Sequence, residues 1–387
     1  MFIYIIAYLI ILVLALSQNK KKQGLGPLIT WTTLICLICG LRDMLGGYDS
    51  YIYAEVFDIT SDDLDRGVGF WKTMAIELNP TELGYGIYNV LLAYITANRY
   101  IFFFISAVFI FSSLYHHVCT LSKYPYLTFF ILFCIWYFFS FTYIRQVMAT
   151  CIAWYAIPYA IQRKPVPFFL IVGFAATFHN SALLFLAVYF FAEKRFTKKQ
   201  ILLFSALSLL IGLTPIGPLI FGMLGGSINE VKATGATEHI SSGRLDYVLE
   251  AAFFLTLIYY KYDDIPKSKK YTCMLNIALL FIFVLTFFVR FSDGGRMSWF
   301  FLIGIACTMS QISMKSKKNI DVKFVTIIVM TLLYFRIVFG WGILLSPYKT
   351  FLTDGVRKGD FIGEEYEYDN LYEKNKTYRP VFKFFGS

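Results

Sequence analysis

Apolar residues in this chain gather in blocks of roughly 15 to 20, separated by short polar links, close to the ~20 residues that one helical membrane crossing needs. The pattern predicts crossings near 2–17, 27–45, 100–117, 126–142, 145–161, 166–179, 180–193, 201–219, 246–260, 271–290, 297–313 and 323–345. The expected fold is therefore all-α: a polytopic integral membrane helical bundle of about 12 transmembrane helices, range 10–14. Several blocks are short for a perpendicular helix, which implies a thinned bilayer or helices that stop at a cavity. We expect one transmembrane domain over 1–352, with outer loops at 46–82 and 220–245, followed by a polar C-terminal tail over 353–387. The apolar stretch 83–97 does not fit the alternation of sides. It reads either as a re-entrant or interfacial helix, tolerated at membrane depth only under cover of protein or a water-filled cavity, or as a true crossing beside a misassigned neighbour.

Composition supports a membrane location: 58% of residues are apolar and only 16% charged, against roughly 25% charge in soluble domains. The run Met1 to Ser17 lacks basic residues before it and has Lys20, Lys21 and Lys22 after it, so it reads as a first span with its N-terminus outside rather than a cleaved signal. The net charge of +10 is scattered between apolar blocks, which argues against nucleic acid as a partner. Cys36 and Cys39 form a CxxC without a second ligand pair. The four histidines are dispersed with no HxxxH or HExxH, so no metal and no cofactor is expected.

The two basic residue types divide by side. Links at Lys20–Lys22, Lys123, Arg163–Lys164, Lys194–Lys199, Lys261–Lys270 and Lys315–Lys323 follow every second span, are almost all lysine, and mark the cytoplasmic face. Arg42, Arg66, Arg99, Arg145, Arg244, Arg290, Arg296 and Arg336 fall on the outer side or in the membrane. Guanidinium offers a planar fork for phosphate or carboxylate, whereas ammonium is mainly a point charge. The outer arginines thus read as an anion site, the alternative being headgroup snorkelling or pairing with acids such as Asp43, Asp246 and Asp293.

Several outer segments add chemistry. Gly46-Gly47-Tyr48-Asp49-Ser50-Tyr51-Ile52-Tyr53 sets a glycine turn beside a carboxylate and tyrosines that suit an acceptor sugar. The plain alternative is a helix cap by Asp49 or Ser50. Glu82 follows Asn79-Pro80-Thr81 at a helix start, where it is either a cap or a proton acceptor. Arg145-Gln146 opens a span from outside, where a helix N-terminus and a guanidinium both favour an anion, and no acid lies within a helical turn. His179-Asn180-Ser181 interrupts an apolar run at an outer junction, as a general base or as a hydrogen-bonded cap. Arg244, Asp246 and Tyr247 close a glycine-rich outer loop, and Arg290, Asp293, Gly294, Gly295 and Arg296 form a compact oxyanion-binding turn. A DxD nucleotide-sugar motif is absent, which favours a lipid-linked donor over a cytosolic sugar nucleotide.

Arg42, the GGYDSYIY segment, Glu82-Leu83-Gly84-Tyr85, Ile144-Arg145-Gln146, the FHNSA at 178–182, Arg290 with Arg296, and Ser346-Pro347-Tyr348, in this order, resemble the EpsG family of Wzy-type exopolysaccharide polymerases up to about residue 352. The family commonly shows EPG where this chain has Glu82-Leu83-Gly84. The resemblance implies a GT-C-like polymerase architecture with an extracytoplasmic active-site cavity, in the cytoplasmic (inner) membrane of a bacterium. It implies an inverting, metal-independent glycosyltransferase that joins polyprenyl-diphosphate-linked oligosaccharide repeat units. Under it, Arg145, Arg290 and Arg296 form a diphosphate clamp, with Arg244 on diphosphate or acidic sugar. Arg42, Gln146, Tyr51, Tyr53 and Tyr247 contribute to substrate binding, and His179, Asp49 and Glu82 are the candidate bases. Its partners would be membrane lipids, a chain-length regulator and the flippase of the same pathway. Two other functions remain open on the residues alone: a transporter or flippase for the lipid-linked sugar, and a membrane acyltransferase modifying surface polysaccharide.

Overall fold

A computed structural model describes residues 1–19, 24–216, 244–291, 294–315, 321–357, 359 and 369–383. Asp293, the loop 221–243 and the Lys20–Lys22 link lie outside the described residues. Within them the chain is helical, with a single isolated bridge between Arg42 and Thr350. Each predicted span contains helix among its described residues, several in shorter pieces, and the span predicted over 27–45 leaves the helix after Gly40.

Among the described residues, four helices are long and apolar enough to cross a membrane: Arg99–Leu121, Lys269–Phe287, Gly294–Lys315 and Val322–Gly340. Their burial orders them in space. The apolar window of Gly294–Lys315 is wholly buried and that of Val322–Gly340 only one third, which makes the first the bundle's axis and the second a lipid-facing stave. The axis helix packs most extensively on Lys269–Phe287. Shorter apolar helices complete the bundle, including Phe2–Ser17, Gly26–Gly40, Pro125–Trp136 and Pro165–Ala176. Proline stands at the start of the last two, where the missing N–H costs no intrahelical bond. Early and late chain meet directly: the Tyr334 hydroxyl donates to the Tyr4 carbonyl at 2.8 Å, and the Tyr8 and Tyr334 rings stack at 4.8 Å.

Two features place the site. The first is an interrupted helix: Pro125–Trp136 gives way to Phe139–Thr142 and then, across Tyr143, to Ile144–Trp154. Broken helices at membrane depth occur where the freed backbone lines a cavity, and Tyr143, Arg145 and Gln146 stand together at this break. The second is an outer layer built from Tyr48–Asp65, Met74–Glu77 and Leu83–Ala93, which pack on one another. Leu83–Ala93 has 11 residues, about 16 Å at ~1.5 Å per residue, and the hydrocarbon core is about 30 Å thick. The helix Tyr48–Asp65 starts directly after Gly46 and Gly47, at φ +124° and +89°. A Cβ on Gly46 would lie 2.5 Å from the Phe141 carbonyl oxygen, so only glycine fits this turn. Gly47 occupies the cap position and Asp49 the first turn, so neither Asp49 nor Ser50 is the cap itself.

The outer layer is closed by the tail. Asp58 of the outer helix is fully buried against the Arg99 guanidinium, with Nε to Oδ2 at 2.9 Å, and the Tyr372 ring covers Arg99 at 4.5 Å. Burial pushes the Asp58 carboxyl up to about 6 while Arg99 pulls it the other way. Lys376 reaches buried Asp43 at 3.0 Å, Arg379 forks onto Asp62 at 2.7 and 3.1 Å, and Lys383 pairs with Asp65 at 2.6 Å. The segment 369–383 is thus a docked strap whose cations meet the acidic helix.

Candidate functional site

The site has two adjoining parts, and the first centres on Arg145. Its Nη1 donates to Asn79 Oδ1 at 2.8 Å and Glu82 Oε2 at 2.9 Å, and its Nε to the Tyr53 hydroxyl at 3.4 Å. The guanidinium also lies over the Tyr53 and Tyr85 rings at 5.5 and 5.7 Å, contacts worth about 0.5–2 kcal/mol each depending on desolvation. Sequence proximity alone left Arg145 without an acid, and the structure corrects this: Glu82, distant in the chain, is its carboxylate. Glu82 sits at the start of Leu83–Ala93 but makes no side-chain capping bond. Its other oxygen instead accepts the Asn180 backbone N–H at 3.1 Å, tying the outer layer to the His179-Asn180-Ser181 junction.

His179 is half-buried at that junction, where its Nδ1 meets the Ser181 hydroxyl at 2.6 Å and it caps the following 3-10 turn. The capping alternative is therefore realised in the backbone, and the other ring nitrogen stands apart from this contact. Tyr53 lies within electrostatic reach of Arg145, Asp49 and Arg296 at once, so Asp49 and a second arginine border the same place.

The second part is a cavity of about 270 Å³. Arg244, Arg296 and Arg336 line it, with Tyr143, Tyr247, Trp299 and Trp341 as aromatic walls and Glu250 as an acid. Arg296 lies over the Tyr143 ring at 4.1 Å and Arg244 over Tyr247 at 4.5 Å. Asp246 holds two of the arginines: Arg244 binds it bidentately at 3.0 and 2.7 Å, and Arg336 reaches it at 3.3 Å. Three positive charges around one carboxylate and one further acid leave the pocket's described charge positive, as an anion site requires. Trp299 stacks on Phe139 at 3.8 Å, which fixes its indole as a rigid wall. Gly295 permits the close approach of this turn to its neighbour, since a Cβ there would stand 2.7 Å from the Tyr247 hydroxyl.

Gln146 joins the two parts. Its amide donates to the Arg296 carbonyl at 2.7 Å and accepts from Arg296 Nε at 3.3 Å, one residue along from Arg145. Arg145 and Arg296 thus both lie within electrostatic reach of Tyr53, and Arg296 and Arg244 line the same cavity.

Three predicted binders are placed differently. Arg42 is buried at 2% exposure and donates to the carbonyls of Leu45, Cys39 and Phe141, between the Phe103 and Phe141 rings. Its fork is taken up by main-chain carbonyls and by the two rings. Tyr51 is likewise buried at 1%. Arg290 donates to the Leu213 carbonyl at 3.2 Å and is not among the residues lining the cavity. Sequence reasoning gave no site role to Glu250, Tyr143, Trp299, Trp341 or Asn79, and counted Arg336 only within the set of outer and membrane arginines. Arg336 did carry a signal, as a guanidinium deep within an apolar helix.

No curated protein and no solved structure matches the chain. The EpsG family model matches residues 25–350, which takes in both halves of this site and ends short of the docked strap. The chain belongs to the EpsG family, whose members are polysaccharide polymerase-like membrane proteins.

Proposed function

We propose that this protein polymerises polyprenyl-diphosphate-linked oligosaccharides on the outer face of a bacterial cytoplasmic membrane, as a single domain of about 12 crossings with a GT-C-like arrangement. The observation that carries the reading is the meeting of Arg244, Arg296 and Arg336, from three separate segments, in one aromatic-walled cavity. Diphosphate is a good leaving group whose negative charge grows as the glycosidic carbon detaches. Preorganised guanidiniums aimed at that charge act where it develops, and removal of one such donor typically costs on the order of 100-fold or more in rate. Indole and phenol faces beside them suit a sugar ring. The acceptor hydroxyl of a second lipid-linked unit then attacks from the opposite face, which inverts the anomeric centre.

In this reading Arg244, Arg296 and Arg336 form the clamp, and Arg145 with Glu82, Asn79 and Tyr53 borders the cavity beside it. Arg336 takes the place first given to Arg290. The test is purified protein in lipid nanodiscs with a defined polyprenyl-diphosphate-linked repeat unit. A ladder of longer lipid-linked chains is expected, lowered on the order of 100-fold by Arg296→Lys, which keeps the charge but not the fork. Unchanged chain lengths with movement of lipid between leaflets would mark a carrier instead, and transfer of a labelled acetyl group an acyltransferase.

A further inference from the structure

We infer that Glu250 is the general base that accepts the proton of the attacking sugar hydroxyl, an assignment that rests on the polymerase reading above. A base must lie within hydrogen-bond reach of the proton it takes, directly or through one water, so it has to face the space the sugar occupies. His179, Asp49 and Glu82 are not among the residues that line the arginine cavity, and Glu82 is already divided between Arg145 and the Asn180 N–H. Among the described lining residues Glu250 is the one acid. The nearby Asp246 carboxylate is held by two guanidiniums, whereas Glu250 makes no hydrogen bond and no ion pair within 4 Å among the described residues and has Arg336 within electrostatic reach.

Its position along the helix Leu245–Tyr260 also fits. Arg244 stands at the helix start, and Glu250 is six residues further in, roughly 9 Å along the axis at ~1.5 Å per residue. Inversion needs the leaving group and the base on opposite faces of one carbon. In the proposed step the acceptor oxygen forms a bond to the anomeric carbon as the bond from that carbon to the diphosphate oxygen breaks. The electron pair of the broken bond stays on the diphosphate, and the hydroxyl proton passes to a Glu250 carboxylate oxygen, from which water later removes it.

Glu250→Gln in the nanodisc assay should lower kcat by about 10²–10⁴-fold with the donor KM within threefold of wild type. That split distinguishes proton transfer from a packing role, which would raise KM or reduce folded yield. Wild-type-like turnover by Glu250→Gln, in an assay where the wild type builds its ladder and Arg296→Lys does not, overturns the assignment and leaves the polymerase reading standing. Absence of any ladder from the wild type is the failure of the polymerase reading itself. If Glu250→Gln does not fold, Glu250→Asp decides: a tenfold or greater loss of kcat at unchanged KM supports the assignment, and unchanged kcat overturns it.

Discussion

Glu82→Gln isolates the charge that holds the first half of the site together. The wild-type carboxylate side chain is 3% exposed and its Arg145 partner 28%. Exposed ion pairs are worth about 0.2–1 kcal/mol, while breaking a fully buried one costs about 3–5 kcal/mol through the charge left behind. This pair lies between those limits, since Arg145 retains some water together with Asn79 and Tyr53 as partners. Gln preserves the shape and one acceptor, so the expected loss is about 2 kcal/mol. Equilibrium unfolding by SDS in mixed micelles measures it, using a double-mutant cycle with Arg145→Met to remove effects of either residue alone. The cycle should return a coupling of about 1–2 kcal/mol. Chain extension by Glu82→Gln should also fall, because the Asn180 contact positions the junction beside the site. A coupling below about 0.3 kcal/mol would refute the idea that Arg145 is organised by this carboxylate.

Arg42→Ala should lower folded yield severely by leaving buried carbonyls unpaired, while any protein that folds should extend chains normally, as seen by chromatography and the nanodisc ladder. Gly295→Ala should displace Tyr247 and with it Arg244, raising the donor KM without loss of the assembled bundle in a thermal stability assay. Arg379→Ala should release the strap, read as faster proteolysis within 369–383 with little change in the melting of the bundle. Asp58 has a folded value near 6, above the ordinary carboxylate value. Its contribution to stability is therefore fully present below about pH 4 and lost as pH rises through about 6. The wild-type minus Asp58→Asn difference in unfolding free energy should fall over that window, and a flat difference would remove Asp58 as a titrating group.

The helices were legible in the sequence because a lipid-facing or buried apolar run is written contiguously along the chain. Their breaks at Tyr137 and Tyr143 were not, since no proline or glycine marks those positions, whereas Pro158 marks the break after Trp154. The arginines were legible as a set and illegible one by one. Arg42 and Arg296 look alike in sequence, yet one is closed between Phe103 and Phe141 and the other opens on a cavity. That difference is decided by what packs across from them, as is the choice of Glu82 as the partner of Arg145. Glu250 escaped notice because a lone acid in the second turn of an outer helix reads as a complement to the helix dipole. The neighbours that give it chemistry, Arg296, Arg336 and Trp299, come from other parts of the chain.

The strap also constrains how the protein matures. Asp43, Asp58 and Asp62 leave the ribosome long before Tyr372, Lys376 and Arg379, and those later residues must be made before they can cover the acids. During that interval the helix Tyr48–Asp65 is an uncovered anionic surface, open to chaperones, divalent cations and proteases. Completion of this face is thus a late event in the maturation of the chain, and a bulky fusion placed after the strap would act on this face.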